Sequence, residues 1–185
     1  MKIFECKRVQ TRTFWFRKIL AFIVMISAFN VHASGFFVDV SHLQSSVAIA
    51  DQEFKPQLSQ LGLGWQFTDR FSVEVSQAVS ASDDAVSTVT AEVKTLSSVL
   101  LRYGSVINSN VNTYLMLGYS ELNLIMTGTS IQADEQYSDL SLGLGFEEKI
   151  FNKSGLRLHF DYLVHYDQAE LTISSVQLGL RYVFD

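Results

Sequence analysis

The chain of 185 residues is nearly without cysteine and proline, with one of each, Cys6 and Pro56. A lone cysteine builds no disulfide framework and no thiolate metal site. Helical stripes are missing as well, since no segment beyond residue 34 repeats apolar residues at three-and-four spacing. No apolar run reaches the roughly 20 residues that a membrane-crossing helix requires. Phosphate loops, zinc-ligand spacings and calcium-loop patterns are also lacking. Leu61-Gly62-Leu63-Gly64 and Gly143-Leu144-Gly145 alternate glycine with leucine, which fits strand positions rather than a nucleotide loop. The sequence therefore assigns no catalytic, cofactor-binding or metal residue, and no cofactor.

What is present begins with an address. Lys2, Lys7, Arg8, Arg12, Arg17 and Lys18 precede an apolar run of 11 residues, Ile19 to Phe29, and then Val31-His32-Ala33. This order reads as a signal peptide over residues 1–33, cleaved before Ser34. The leader takes six of the fourteen bases, one of the nineteen acids and the only cysteine. It leaves eight bases against eighteen acids, a net charge of −10 on residues 34–185. Such a charge argues against nucleic acid or an anionic surface as a partner. Ser34 in place of cysteine argues against a lipid-anchored N-terminus. The remaining 152 residues are expected to form one domain.

Alternation of period two recurs through that domain. Phe36, Val38 and Val40 oppose Phe37, Asp39 and Ser41; Leu61, Leu63, Trp65 and Phe67 oppose Gly62, Gly64 and Gln66. Phe71, Val73 and Val75 oppose Ser72, Glu74 and Ser76, and Val99, Leu101 and Tyr103 oppose Ser98, Leu100 and Arg102. In the fifth run Leu115, Leu117 and Tyr119 share a face against Gly118 and Ser120. In the sixth, Leu140, Leu142, Leu144 and Phe146 oppose Ser141, Gly143, Gly145 and Glu147. The seventh sets Leu156, Leu158, Phe160, Tyr162, Val164 and Tyr166 against Arg157, His159, Asp161, His165 and Asp167. The eighth sets Val176, Leu178, Leu180, Tyr182 and Phe184 against Gln177, Gly179, Arg181 and Val183. Short turns near Thr68–Arg70, Ser105–Asn112 and Lys149–Gly155 alternate with long polar links at Gln44–Gln57 and Ser80–Glu92 and an intermediate one at Thr127–Gln136. A short link falls at Gln168–Thr172.

The last strand resembles the C-terminal strand of bacterial outer-membrane β-barrels, which alternates in this way and ends on an aromatic; here Asp185 follows Phe184. The resemblance extends to the whole domain and is to the OmpA/OmpX-like class. It implies an all-β, eight-stranded, antiparallel up-and-down transmembrane barrel, with lipid outside and a polar lumen. A soluble barrel would carry Lys, Glu and Thr on its second face. Here that face is glycine and serine, as the crowded inside of a narrow barrel requires. Aromatics at the strand ends (Phe36, Trp65, Phe67, Phe71, Tyr103, Phe146, Tyr182, Phe184) read as the girdle on the periplasmic side, where the short turns and both barrel termini lie. The chain is expected to end at the barrel, without the periplasmic peptidoglycan-binding domain of full-length OmpA-type proteins.

An eight-stranded lumen is just wide enough for its own side chains, which argues against a general diffusion pore. Charges inside it should pair. Equal heights along the strands suggest Asp39 with Arg181, Glu74 with Arg102, and Glu147 with Arg157. The class implies a structural, envelope-integrity or surface-interaction role in the outer membrane. Expected partners are outer-membrane lipid and lipopolysaccharide, with the assembly machinery reading the C-terminal strand, and the barrel is expected to be monomeric. Two alternatives are weighed. Val164-His165-Tyr166-Asp167-Gln168-Ala169 distantly resembles the His-x-Ser-Asn-Ala stretch of lipid A deacylases, but Asp167 stands at the serine position, so the nucleophile is absent. The other is a narrow channel. The acidic outer loops, with Asp51, Glu53, Asp83, Asp84, Asp134, Glu135, Asp139, Asp167 and Glu170, read as solvated, with a divalent-cation link to lipopolysaccharide as the alternative.

Overall fold

Alternating side chains carry the strands well past the turn signals. A computed structural model of the protein describes residues 35–49, 52–68, 70–107, 110–128, 132–151, 155–168 and 171–184. The cleavage site before Ser34 and the terminal Asp185 lie outside the described residues. Ten strands follow in order: β1 (Gly35–Ile49), β2 (Gln52–Phe54), β3 (Gln57–Gln66), β4 (Phe71–Ser82), β5 (Asp84–Val86), β6 (Val89–Val106), β7 (Val111–Gly128), β8 (Gln132–Lys149), β9 (Leu156–Gln168) and β10 (Leu171–Phe184). Eight of them, β1, β3, β4, β6, β7, β8, β9 and β10, pair consecutively and antiparallel, and β10 closes on β1 from Phe36↔Phe184 to Ile49↔Leu171. Closure leaves these strands without the unpaired edge that an open sheet would expose. The two short strands fold back at the opposite end from Gly35 and Phe184, β2 onto β1 and β5 onto β6.

Three links expected to be loops are therefore largely strand. β1 runs on to Ile49 rather than ending near Leu43, the stretch Ser80–Glu92 holds the end of β4, all of β5 and the start of β6, and β8 begins at Gln132. Three one-residue bulges accompany this lengthening. Ala81 on β4, Lys94 on β6 and His165 on β9 have no counterpart on the facing strand. A bulge exchanges the two faces of a strand beyond it. Leu96 faces the lumen before Lys94, whereas Val93 and Ala91 do so after it, all three buried. For the same reason Tyr166, expected on the lipid face, lies opposite lumen-facing Ile173 and packs against the internal apolar cluster.

On the outer face Leu61, Leu63, Val75, Leu101, Leu115, Leu117, Leu144 and Leu178 form an exposed belt, and Leu140 and Leu142 are 72% and 63% accessible. A contiguous apolar surface of this extent marks contact with lipid or protein. At the turn end Phe36–Phe184, Phe71–Tyr103, Phe146–Phe160 and Tyr182–Phe184 form ring pairs with centroids 4.8 to 5.9 Å apart. This is the aromatic girdle.

Candidate functional site

The distinctive chemistry lies inside the barrel, in three levels. Register sets the lowest: β1, β10 and β9 bring Asp39, Arg181 and Arg157 side by side, and Glu74, Arg102, Glu147, His159 and Asp161 enter from the other strands. Glycines leave room for them. A Cβ at Gly145 would strike Asp161 Oδ1, one at Gly179 the His159 ring, and one at Gly64 the Phe37 ring.

The three pairs named from the sequence sit in one connected network. Arg102 Nη2 is 2.9 Å from Glu74 Oε2, Arg181 Nη2 is 3.3 Å from Asp39 Oδ2, and Arg157 Nη1 is paired with Glu147 Oε1. Arg181 also donates from Nη1 to Glu147 Oε2 at 2.8 Å and from Nη2 to Glu74 Oε2 at 3.1 Å. Arg102 donates to Asp161 Oδ2 at 3.2 Å, and the Tyr114 hydroxyl donates to Asp161 Oδ1. His159 bridges two carboxylates, Nδ1 at 3.0 Å from Asp161 Oδ2 and Nε2 at 2.7 Å from Asp39 Oδ2. The guanidinium groups of Arg102 and Arg181 lie over the rings of Tyr114 and Phe37, at 4.6 and 4.7 Å. The three pairs expected from the sequence leave out His159 and Asp161, which the barrel joins to them. Their inward phase was the available signal.

The middle level is neutral. Ser120 Oγ lies 2.8 Å from Ser98 Oγ, 2.7 Å from Ser141 Oγ and 3.1 Å from His165 Nδ1. His165 Nε2 is 2.8 Å from Ser175 Oγ. The sequence supplied no serine for this histidine, whereas the barrel supplies two. Both are buried with it in the lumen, and among the described residues no carboxylate is bonded to the ring. Gln177 donates to Ser41 Oγ at 2.8 Å on the same level.

The upper level is apolar. Leu43, Val47, Phe54, Leu58, Ala78, Ala91, Val93, Leu96, Leu122, Leu124 and Ile173 form one buried cluster. Phe54 comes from β2, folded across the loop end. Outside this plug the surface is acidic: Glu53, Asp83, Glu121, Asp134, Glu135 and Asp167 are exposed. Asp51 and Glu170 lie outside the described residues. The Glu53 carboxyl is held below its usual range by the Ser46 hydroxyl and by Lys55. No group of His, Cys, Asp and Glu suited to a metal occurs among the described residues.

A closed antiparallel barrel with a lipid-type belt, an aromatic girdle at the end bearing its termini and a packed interior defines an integral outer-membrane β-barrel. The chain matches the family described as outer membrane protein beta-barrel domain over residues 20–184, and it belongs to that family. It is similar in structure to Ail, the attachment invasion locus protein of Yersinia pestis, with 18% identity and a TM-score of 0.63 over 82% of this chain and 99% of that one. Neisserial surface protein A aligns with 13% identity and a TM-score of 0.63 over 83% of this chain and 100% of the other. The N-terminal β-barrel domain of Pseudomonas aeruginosa OprF gives 14% and 0.57, over 80% and 97%. At these identities the likeness is one of fold. No curated protein matches the chain. The protein resides in the outer membrane, and its short turns mark the periplasmic side.

Proposed function

We propose that the protein is a non-enzymatic barrel, closed to diffusion, that contributes to envelope integrity and meets external partners through its loop end. The observation that carries this reading is the filling of the lumen at every level, from the ion network through the serine belt to the apolar plug. Asp39, Arg181, Glu74, Arg102, Glu147 and Arg157 act as the lower seal. Reconstitution in planar bilayers tests it: no unitary conductance is expected, and stable open steps would refute a sealed lumen.

The loop end also suggests the sign of a partner. Ail of Yersinia pestis has been solved with the heparin analogue sucrose octasulfate, a polyanion. Exposed carboxylates here would repel such a ligand, so the proposed surface partner is cationic, or is lipopolysaccharide approached through divalent cations. The remaining elements of the proposal are export with removal of residues 1–33, recognition of the C-terminal strand by the assembly machinery, lipid contact around the belt, and a monomeric state. Burial of His165 and its two serines supports the non-enzymatic reading. Lipid A from overexpressing cells should keep its acyl pattern, and the loss or gain of a chain would reverse that conclusion.

A further inference from the structure

The lipid-facing wall of the barrel is not uniform. On β10 the outward side chains from Val176 to Phe184 are all apolar and exposed. Across β3, β4, β6 and β7 the register sets Leu63, Val75, Val99 and Tyr119 in one outward row. The next row toward the loop end is Leu61, Gln77, Ser97 and Glu121. Valine and serine on the two middle strands are shorter than the leucines of β3 and the tyrosine of β7. The surface therefore dips between two walls, and residues of both rows line a groove of about 430 Å³. That volume lies in the range of ligand sites.

The lower part of the groove, floored by Val75 and Val99, suits a hydrocarbon chain. The upper part is polar, and there the protein uses its own donors internally. Ser97 Oγ donates to Gln77 Oε1 at 2.7 Å, Gln77 Nε2 donates to the Ala78 carbonyl at 3.3 Å, and Gln136 Nε2 donates to Glu121 Oε1. What remains open is chiefly acceptor capacity, on Ser97 Oγ and the Glu121 carboxylate. Such groups beside hydrocarbon are costly unless a donor meets them. An ester-linked acyl chain brings only acceptors to this depth. A hydroxylated or amide-linked chain brings O–H or N–H donors.

We infer that this groove holds one acyl chain of an outer-leaflet glycolipid whose chains are amide-linked and hydroxylated. The hydrocarbon lies over Val75 and Val99, and the lipid's O–H and N–H groups donate to Ser97 and Glu121. The inference rests on the lipid contact proposed for the belt and narrows it to one site and one lipid chemistry.

The test offers the detergent-solubilised barrel equal amounts of two lipids and reads what stays bound by native mass spectrometry. One is lipid A. The other is tetramyristoyl cardiolipin, which matches its two phosphates but has ester-linked chains without hydroxyls. One lipid A per barrel is expected, with a preference of roughly tenfold from two hydrogen bonds. Val99→Trp fills the groove from an exposed position and should abolish the bound lipid, whereas Leu178→Trp, on β10, should keep it. Ser97→Ala combined with Glu121→Leu should hold both lipids nearly equally. Heat-modifiable mobility checks that each variant is folded. Equal retention of the two lipids by the unaltered barrel overturns the inference, as does binding unchanged in Val99→Trp. A preference that survives Ser97→Ala with Glu121→Leu also overturns it. A two-barrel mass abolished by Val99→Trp would make the occupant a second copy of the chain and overturn it too. Solubility of the barrel without detergent would instead remove the lipid contact of the belt itself.

Discussion

The lower and upper levels of this lumen solve one packing problem with opposite chemistry. On the periplasmic side the barrel is filled by charges, with Arg181 alone touching Asp39, Glu74 and Glu147. On the loop side it is filled by Leu43, Leu58, Leu96, Leu124 and Phe54, with no ion pair in the cluster. The difference lies in how each level tolerates error. A buried ion network is near neutral while complete, but fails when one member is removed, because an uncompensated charge stays behind. An apolar plug loses stability in proportion to the volume removed and keeps its remaining contacts. The lower level should therefore be all-or-none, and the upper level graded and local.

Charge reversal at the hub should break this contrast most severely. Arg181→Glu is expected to cost at least about 5 kcal/mol, read from the urea midpoint of the refolded barrel. Adding Asp39→Arg should recover only a part, since Glu74 and Glu147 still face the new carboxylate. Full recovery would mean that Arg181 and Asp39 act as an isolated pair.

Phe54→Ala should cost about 3 kcal/mol. Its signature is local, with faster amide exchange in β2 and the adjoining end of β1 and unchanged exchange near Asp39. Uniform exchange throughout would deny that the two levels are separate. The middle belt comes next. Ser120→Ala removes an atom shared by Ser98, Ser141 and His165 and should cost about 1–2 kcal/mol in the same unfolding assay. The smallest effect is stabilising. Ser87, in the two-residue turn between β5 and β6, has a φ of 58°, a left-handed conformation that glycine adopts without steric penalty. Ser87→Gly should add a few tenths of a kcal/mol, seen as slower proteolytic nicking of that hairpin. Faster nicking would place the strain elsewhere.

Much of the barrel was legible because the strand period is two and lipid demands one unbroken apolar face. Leu61–Leu63–Trp65 and Val176–Phe184 declare that face directly, and Gly62, Gly64, Gly145 and Gly179 declare the crowded side. The upper plug was not legible. Val47 and Phe54 look like loop residues because β1 runs past its turn signals and β2 folds back on it. Val93 and Tyr166 look lipid-facing because nothing in the local pattern announces the bulges at Lys94 and His165 that exchange the faces. A bulge is a property of two paired strands, and one strand read alone does not contain it.

The amino-acid order alone determined the fold class, the number of spanning strands, their in–out phase up to the bulges and which charges of the lower level point inward. Those follow from local periodicity and from the short turns, which act over a few residues. Beyond the His165 bulge Tyr166 turns inward and Asp167, expected in the lumen, is exposed. Tertiary structure decided the rest: that Arg181 spans to Glu74 and Glu147, that His159 ties Asp39 to Asp161, and that Phe54 caps an apolar plug. Closing β10 on β1 brings together side chains more than a hundred residues apart, and the heights at which they meet are fixed by register and shear. Neither quantity is written in any one stretch of the chain.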